Sequence, residues 1–72
     1  MNENSDIIEI LRKALPPVFP RKKVDRLDLG LPSSKTLANL SSRGEGPPSY
    51  RLGRTVIYNR DTFLDWLSAR IS

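Results

Sequence analysis

The sequence predicts a mainly α domain carrying one small β-hairpin. Apolar residues recur at helical spacing in stretches that begin at Ser, Asn or Asp and stop at Pro or Gly. Between the last two such stretches lies YRLGRTVIYN, where aromatic and β-branched residues flank a Gly-Arg dipeptide, the pattern of two strands joined by a tight turn. With 72 residues the chain is read as one domain, 1–72, too small for a large catalytic cleft.

Ser5 is the expected N-cap of the first helix, with Asp6 and Glu9 in its first turn, where the helix dipole favours acids, and Arg12 and Lys13 near its end. Ile7, Ile8, Leu11, Ala14 and Leu15 form its apolar face, and Pro16 and Pro17 stop it. The stretch Pro16 to Pro20 is expected to be an extended connector with Val18 and Phe19 tucked against the core. Residues 1–20 are thus an N-terminal helix and a Pro-rich connector, and residues 21–72 carry the rest of the fold.

A second short helix is predicted over RKKVDRLDLG, with Val24, Leu27 and Leu29 giving the apolar spacing and Gly30 as the left-handed residue beyond its end. Ser33 or Ser34 then caps a third helix, SKTLANLSSRG, with Leu37 and Leu40 inward and Gly44 as terminator. Two short helices joined by a turn containing Gly have the form of a helix-turn-helix. Next come the Gly-Glu-Gly-Pro-Pro corner and the hairpin, Tyr50 to Leu52 and Thr55 to Tyr58, turning at Gly53-Arg54. The expected register puts Tyr50, Leu52 and Ile57 on one face and Arg51, Val56 and Tyr58 on the other. Asn59 or Asp61 caps the last helix, where Phe63, Leu64, Trp66, Leu67 and Ile71 make an apolar stripe with Trp66 as a core anchor. Helix, helix-turn-helix, two-stranded wing and C-terminal helix make a winged helix-turn-helix.

Charge sharpens this reading. The net charge is +4, but Arg21 to Arg60 holds nine bases against three acids while the remaining segments hold three bases and five acids. Such a basic middle suits a polyanion, although a solvated basic surface has the same composition. Cysteine and histidine are both absent, which removes disulfides, the usual zinc sites and triad-type nucleophile systems. No cofactor and no metal are expected. The pairs Asp25/Asp28 and Asp61/Asp65 have helical spacing but come with no second catalytic group, so the chain is read as no enzyme. The apolar runs are too short to span a bilayer, and MNENSDIIEI opens acidic where a signal peptide is basic, so no membrane partner and a cytoplasmic location are expected.

The run TLANLSSRGEGPPSYRLGRTVIYNRDTFLDWLSAR, Thr36 to Arg70, resembles the excisionase and AlpA-type phage regulators, whose winged domain is related to the DNA-binding domain of MerR-type regulators. The matching features are the early Thr-Leu, the Arg-Gly-Glu-Gly-Pro-Pro corner, the Gly-Arg wing tip, Tyr58 before the last helix, and the ending Asp61, Leu64, Trp66, Leu67. The chain departs from that pattern at Leu40, where an aromatic residue is common, and in a turn, Gly30 to Ser34, that is one residue longer. Met1 to Pro20 has no counterpart and is read as an added packing helix or a dimer contact. The resemblance implies a small DNA-binding protein of a prophage or mobile element. It would regulate transcription or bend DNA as an architectural factor in site-specific recombination, with double-stranded DNA, and a recombinase or RNA polymerase, as partners.

On that fold the third helix offers Ser34, Lys35, Thr36, Asn39 and Arg43 outward. Asn39 suits a bidentate contact to adenine, and Arg43 or Lys35 suits guanine or phosphate. Ser34 and Thr36, at the helix start, suit phosphate. Each has a plainer role open to it: Ser34 as a cap, Asn39 as a solvated polar residue, Arg43 as a charge at a helix C-terminus. Arg51 and Arg54 on the hairpin are further contact candidates, since folding of a tip requires no arginine and a guanidinium pairs well with phosphate oxygens. Arg21, Lys22 and Lys23 sit at a helix start, where bases oppose the dipole, and so are assigned to phosphate as well. One such module covers little DNA, so cooperative self-association on adjacent sites is expected. The alternative is a protein-interaction adaptor docking through the first helix and PPVFP, with no direct DNA role.

Overall fold

A computed structural model describes residues 3–70, with side chains from Asp6 to Arg70. In chain order the elements are α1 (Glu3–Ala14), β1 (Val18–Pro20), a 3-10 turn (Arg21–Lys23) leading into α2 (Val24–Leu27), α3 (Ser34–Ser42), β2 (Tyr50–Leu52), β3 (Thr55–Asn59) and α4 (Arg60–Arg70). The three strands form one antiparallel sheet in the order β1-β3-β2. This is a small α/β domain of helix-turn-helix-like topology, mainly helical, with a small antiparallel hairpin in an arrangement consistent with a wing. Among the described residues no helix is long and apolar enough to cross a membrane.

The stretch expected to be a connector is a strand. Phe19 pairs with Tyr58 and Pro20 with Ile57, so β1 is an edge strand, the one place in a sheet where proline is tolerated. Because side chains alternate along a strand, Phe19 is fully buried while Val18 is 53% exposed, which corrects the expectation that both tuck inward. The hairpin register is as expected: Tyr50 opposes Ile57 and Arg51 opposes Val56.

The core lies between the inner face of this sheet and the helices. Phe19, Tyr58 and Phe63 form an aromatic cluster with ring centroids 5.2 to 5.8 Å apart, the Phe19–Phe63 pair being edge-to-face. Around it pack Ile8, Leu11 and Leu15 of α1, Val24, Leu37 and Leu64. The buried face of α1 is narrower than its apolar spacing suggests, because Ile7 is 45% and Ile10 65% exposed and Ala14 is also exposed. The α1 helix starts at Glu3, which puts Ser5 inside its first turn rather than ahead of it. At its other end Pro16 and Pro17 cut the helix, and Arg60 reaches back to the freed carbonyls of Arg12 and Leu15, each at 3.4 Å. Arg12 in turn pairs with Asp61, so the C-terminal end of α1 is tied to the start of α4 by charge-assisted bonds.

The α2 helix is a single turn, and Asp28, not Gly30, is its left-handed cap at φ 51°, with Gly30 adopting φ 75° two residues on. Asn59 caps α4: its Oδ1 accepts from the backbone N–H of Asp61 (2.9 Å) and Thr62 (3.2 Å). Phe63 and Leu64 are fully buried, whereas Trp66 and Leu67 are half-buried and pack against the core from its edge. Ile71 of the expected stripe lies outside the described residues.

Candidate nucleic-acid interface

The position of α3 is fixed at both ends. Ser33 is the N-cap, its Oγ accepting from the Thr36 backbone N–H at 3.1 Å and donating to Thr36 Oγ1 at 3.0 Å. One residue on, Ser34 donates its backbone N–H (2.9 Å) and its hydroxyl to the two carboxylate oxygens of Asp25. These bonds, the hydroxyl's first and the amide's second, hold the Asp25 carboxyl below its ordinary pKa. They bridge α2 to α3. At the C-terminus the Glu45 N–H bonds the Leu40 carbonyl (2.8 Å) and the Gly44 N–H bonds that of Ser41 (3.0 Å), with Gly44 at φ 72°. That is a Schellman ending, and it needs glycine at the left-handed position.

Between these ends Leu37 and Leu40 are buried and Lys35, Thr36, Asn39 and Arg43 are exposed along the outer side. Arg43 forms a 3.1 Å pair with Glu45, both side chains being more than half exposed, so the pair contributes at most about 1 kcal/mol and exchanges readily. Ser34 is placed differently from that row. Its donors are taken by Asp25, and a carboxylate at the helix start opposes a phosphate there.

The corner after α3 is held tightly. A Cβ built on Gly46 would lie 2.8 Å from Ser41 Oγ and 3.1 Å from the Ser41 backbone nitrogen, so only glycine lets the chain cross α3 this closely. Pro47 is buried behind it, and the Trp66 indole N–H donates to the Glu45 carbonyl at 3.0 Å, anchoring the corner to α4. Trp66 is therefore a packing residue with its polar edge satisfied. The wing then turns at Gly53-Arg54, with Gly53 at φ 60° as the first central residue of a two-residue loop. Arg54 is exposed at the tip. Together with Lys22, Lys23, Arg26, Lys35 and Arg51 it has no acidic partner among the described residues.

Arg21 is half-buried and engaged from within. Its Nε donates to the Tyr58 hydroxyl (2.8 Å), its Nη2 to Ser41 Oγ (3.0 Å), and its guanidinium stands 5.7 Å from the Tyr58 ring centre. It thereby ties the 3-10 turn to β3 and to α3. Nothing local in the sequence announces these partners, which are 37 and 20 residues away. Its neighbours Lys22 and Lys23 are exposed and, with Pro20, Asp25 and Arg26, line a shallow depression on the outside of the turn.

A groove of about 380 Å³ runs between α3 and β2, lined chiefly by Arg21, Ser41, Ser42, Ser49, Tyr50 and Arg51. It joins the helix and the wing into one surface. Helical and strand periodicity do not encode this groove; the local signal for it is Ser49, placed directly after a rigid Pro-Pro step. No group of three or more acidic residues among the described residues is arranged to hold a metal ion. No protein-family model and no curated protein matches the chain. The shape of the fold is compatible with a small DNA-binding regulatory domain in general.

Proposed function

We propose that the chain is a small DNA-binding protein of a prophage or mobile element, regulating transcription or acting as an excisionase-like architectural factor in recombination. The observation that supports the reading is that α3 and the wing carry exposed cations without acidic partners among the described residues, Lys35 on the helix and Arg51 and Arg54 on the wing, while Thr36, Asn39 and Arg43 are exposed on or just after the same helix. In this reading α3 enters the major groove, Asn39 meets an adenine edge, and Arg54 lies on a phosphate or in the minor groove. Thr36 adds a phosphate contact at the helix start, and Lys22 and Lys23 extend the charged surface past the turn. Binding, not catalysis, is the proposed activity: Asp25 is occupied by Ser34 and Asp61 by Arg12 and Arg60.

Binding of a panel of duplexes by wild type, Asn39→Ala and Arg54→Ala tests this. Arg54→Ala is expected to weaken all duplexes alike, and Asn39→Ala to change the ranking among them. Unchanged binding by both variants, with intact circular dichroism, would refute the surface. Ile7 and Ile10, exposed on α1, favour the second reading, an adaptor that docks through this helix. Apolar docking of that kind is insensitive to salt, whereas DNA binding through phosphates weakens steeply with it.

A further inference from the structure

We propose that the groove between α3 and β2 is a clamp for a single backbone phosphodiester of duplex DNA, with Arg51 supplying the charge and Ser41 and Ser49 the hydroxyl donors. The inference rests on the DNA-binding reading and adds to its Arg51 two residues that reading does not use, Ser41 and Ser49. Two guanidinium groups, those of Arg21 and Arg51, line the groove and no carboxylate does, so its field favours an anion.

The donors are arranged in depth. Arg21 is fixed at the floor by Tyr58 and by Ser41, whose Oγ accepts from Arg21 Nη2. Because Ser41 accepts there, its own hydroxyl proton is left to donate, and the cation behind it strengthens that donation. Ser42, also on the wall, already donates to the Asn39 carbonyl at 2.8 Å and is not part of the clamp. Ser49 comes from the opposite wall. It is carried there by the Gly46-Pro47-Pro48 corner, whose close crossing over Ser41 leaves no room for a Cβ. Arg51, exposed at the rim on the strand face shared with Val56, closes the ring of donors. A phosphodiester matches this set: one negative charge, two unesterified oxygens and no hydrogen to donate. The Gly-Pro-Pro corner places Ser49, while the pairing of β2 with β3 places Arg51.

The test is a fluorescence-anisotropy titration of one duplex over a range of salt concentrations, with wild type, Arg51→Ala, Arg51→Lys and Ser49→Ala, each checked for fold by circular dichroism. The clamp predicts that Arg51→Ala lowers the slope of log K against log salt by about 0.9, the value for one phosphate contact. Arg51→Lys is expected to keep the slope, because the charge stays. Ser49→Ala should weaken binding several-fold at every salt concentration with the slope unchanged, because the group lost is neutral. Wild type binding the duplex with a steep slope, while Arg51→Ala and Ser49→Ala both stay within twofold of it in affinity and share its slope, would overturn the clamp and leave the DNA reading standing. Absence of salt-dependent duplex binding by wild type would overturn the reading and the clamp together. Titration with inorganic phosphate, followed by the NMR signals of the Arg21 and Arg51 side chains, separates the sources of the anion. Saturation by free phosphate at low millimolar concentration without duplex binding would contradict a DNA clamp.

Discussion

Replacing Tyr58 with Phe removes one oxygen and leaves the ring, and the structure says what that oxygen does. It accepts from Arg21 Nε at 2.8 Å in a site where the tyrosine itself is fully buried. The ring contacts with Phe19 and Phe63 survive in Phe, so the substitution isolates the bond to Arg21. A hydrogen bond to a charged donor contributes about 1.5–3 kcal/mol. Arg21 is only half-buried, so water can reach the freed N–H and the lower end applies, about 1.5 kcal/mol. In a domain of this size each kcal/mol moves the melting temperature by about 4–8 °C, so Tyr58→Phe should melt about 6–12 °C below wild type in a circular-dichroism scan. A melting temperature within about 2 °C of wild type would refute the claim that Arg21 braces the sheet against α3 through this bond.

Three further substitutions probe the corner, the α4 cap and the Asp25 bridge. Gly46→Ala places a methyl group against the Ser41 side chain and backbone, and overpacking of that kind costs about 1–3 kcal/mol, read as a lower urea midpoint. Asn59→Ala removes the cap of α4 and should cost about 1 kcal/mol in the same assay. The Asp25 pKa is lowered in the folded chain, so its contribution is full above the ordinary carboxylate pKa and is lost as pH falls through the folded value. Urea midpoints should therefore drop as pH falls below about 4, and Asp25→Asn should lessen that drop while lowering the midpoint at neutral pH.

Much of the fold was legible because the signals are local. The N-cap Ser33, the terminator Gly44, the Gly53-Arg54 turn and the hairpin register each depend on residues within a few positions of one another. What escaped the sequence depends on distant pairing. Val18 to Pro20 reads as a linker because two of its neighbours and its last residue are proline, and only the presence of β3 beside it makes it a strand. Ile7 and Ala14 fit the helical apolar spacing, yet the partner surface, α4, is narrow enough that one side of α1 stays in solvent. The same holds for the candidate interface. Lys35, Thr36, Asn39 and Arg43 follow from helical periodicity, and Arg51 and Arg54 from the hairpin. The groove, the Ser34–Asp25 bridge and the Arg21 brace involve contacts across the fold, which periodicity does not encode.

The central claim is that this basic surface binds duplex DNA through its phosphates. The most direct measurement is the affinity of wild type and Arg54→Ala for a mixed-sequence duplex, by fluorescence anisotropy, from low to near-physiological salt. Binding at low salt should fall steeply as salt rises, with a slope of about −0.9 for each phosphate engaged, and Arg54→Ala should bind more weakly with a shallower slope. No binding at low salt, or affinity that does not change with salt, would contradict it.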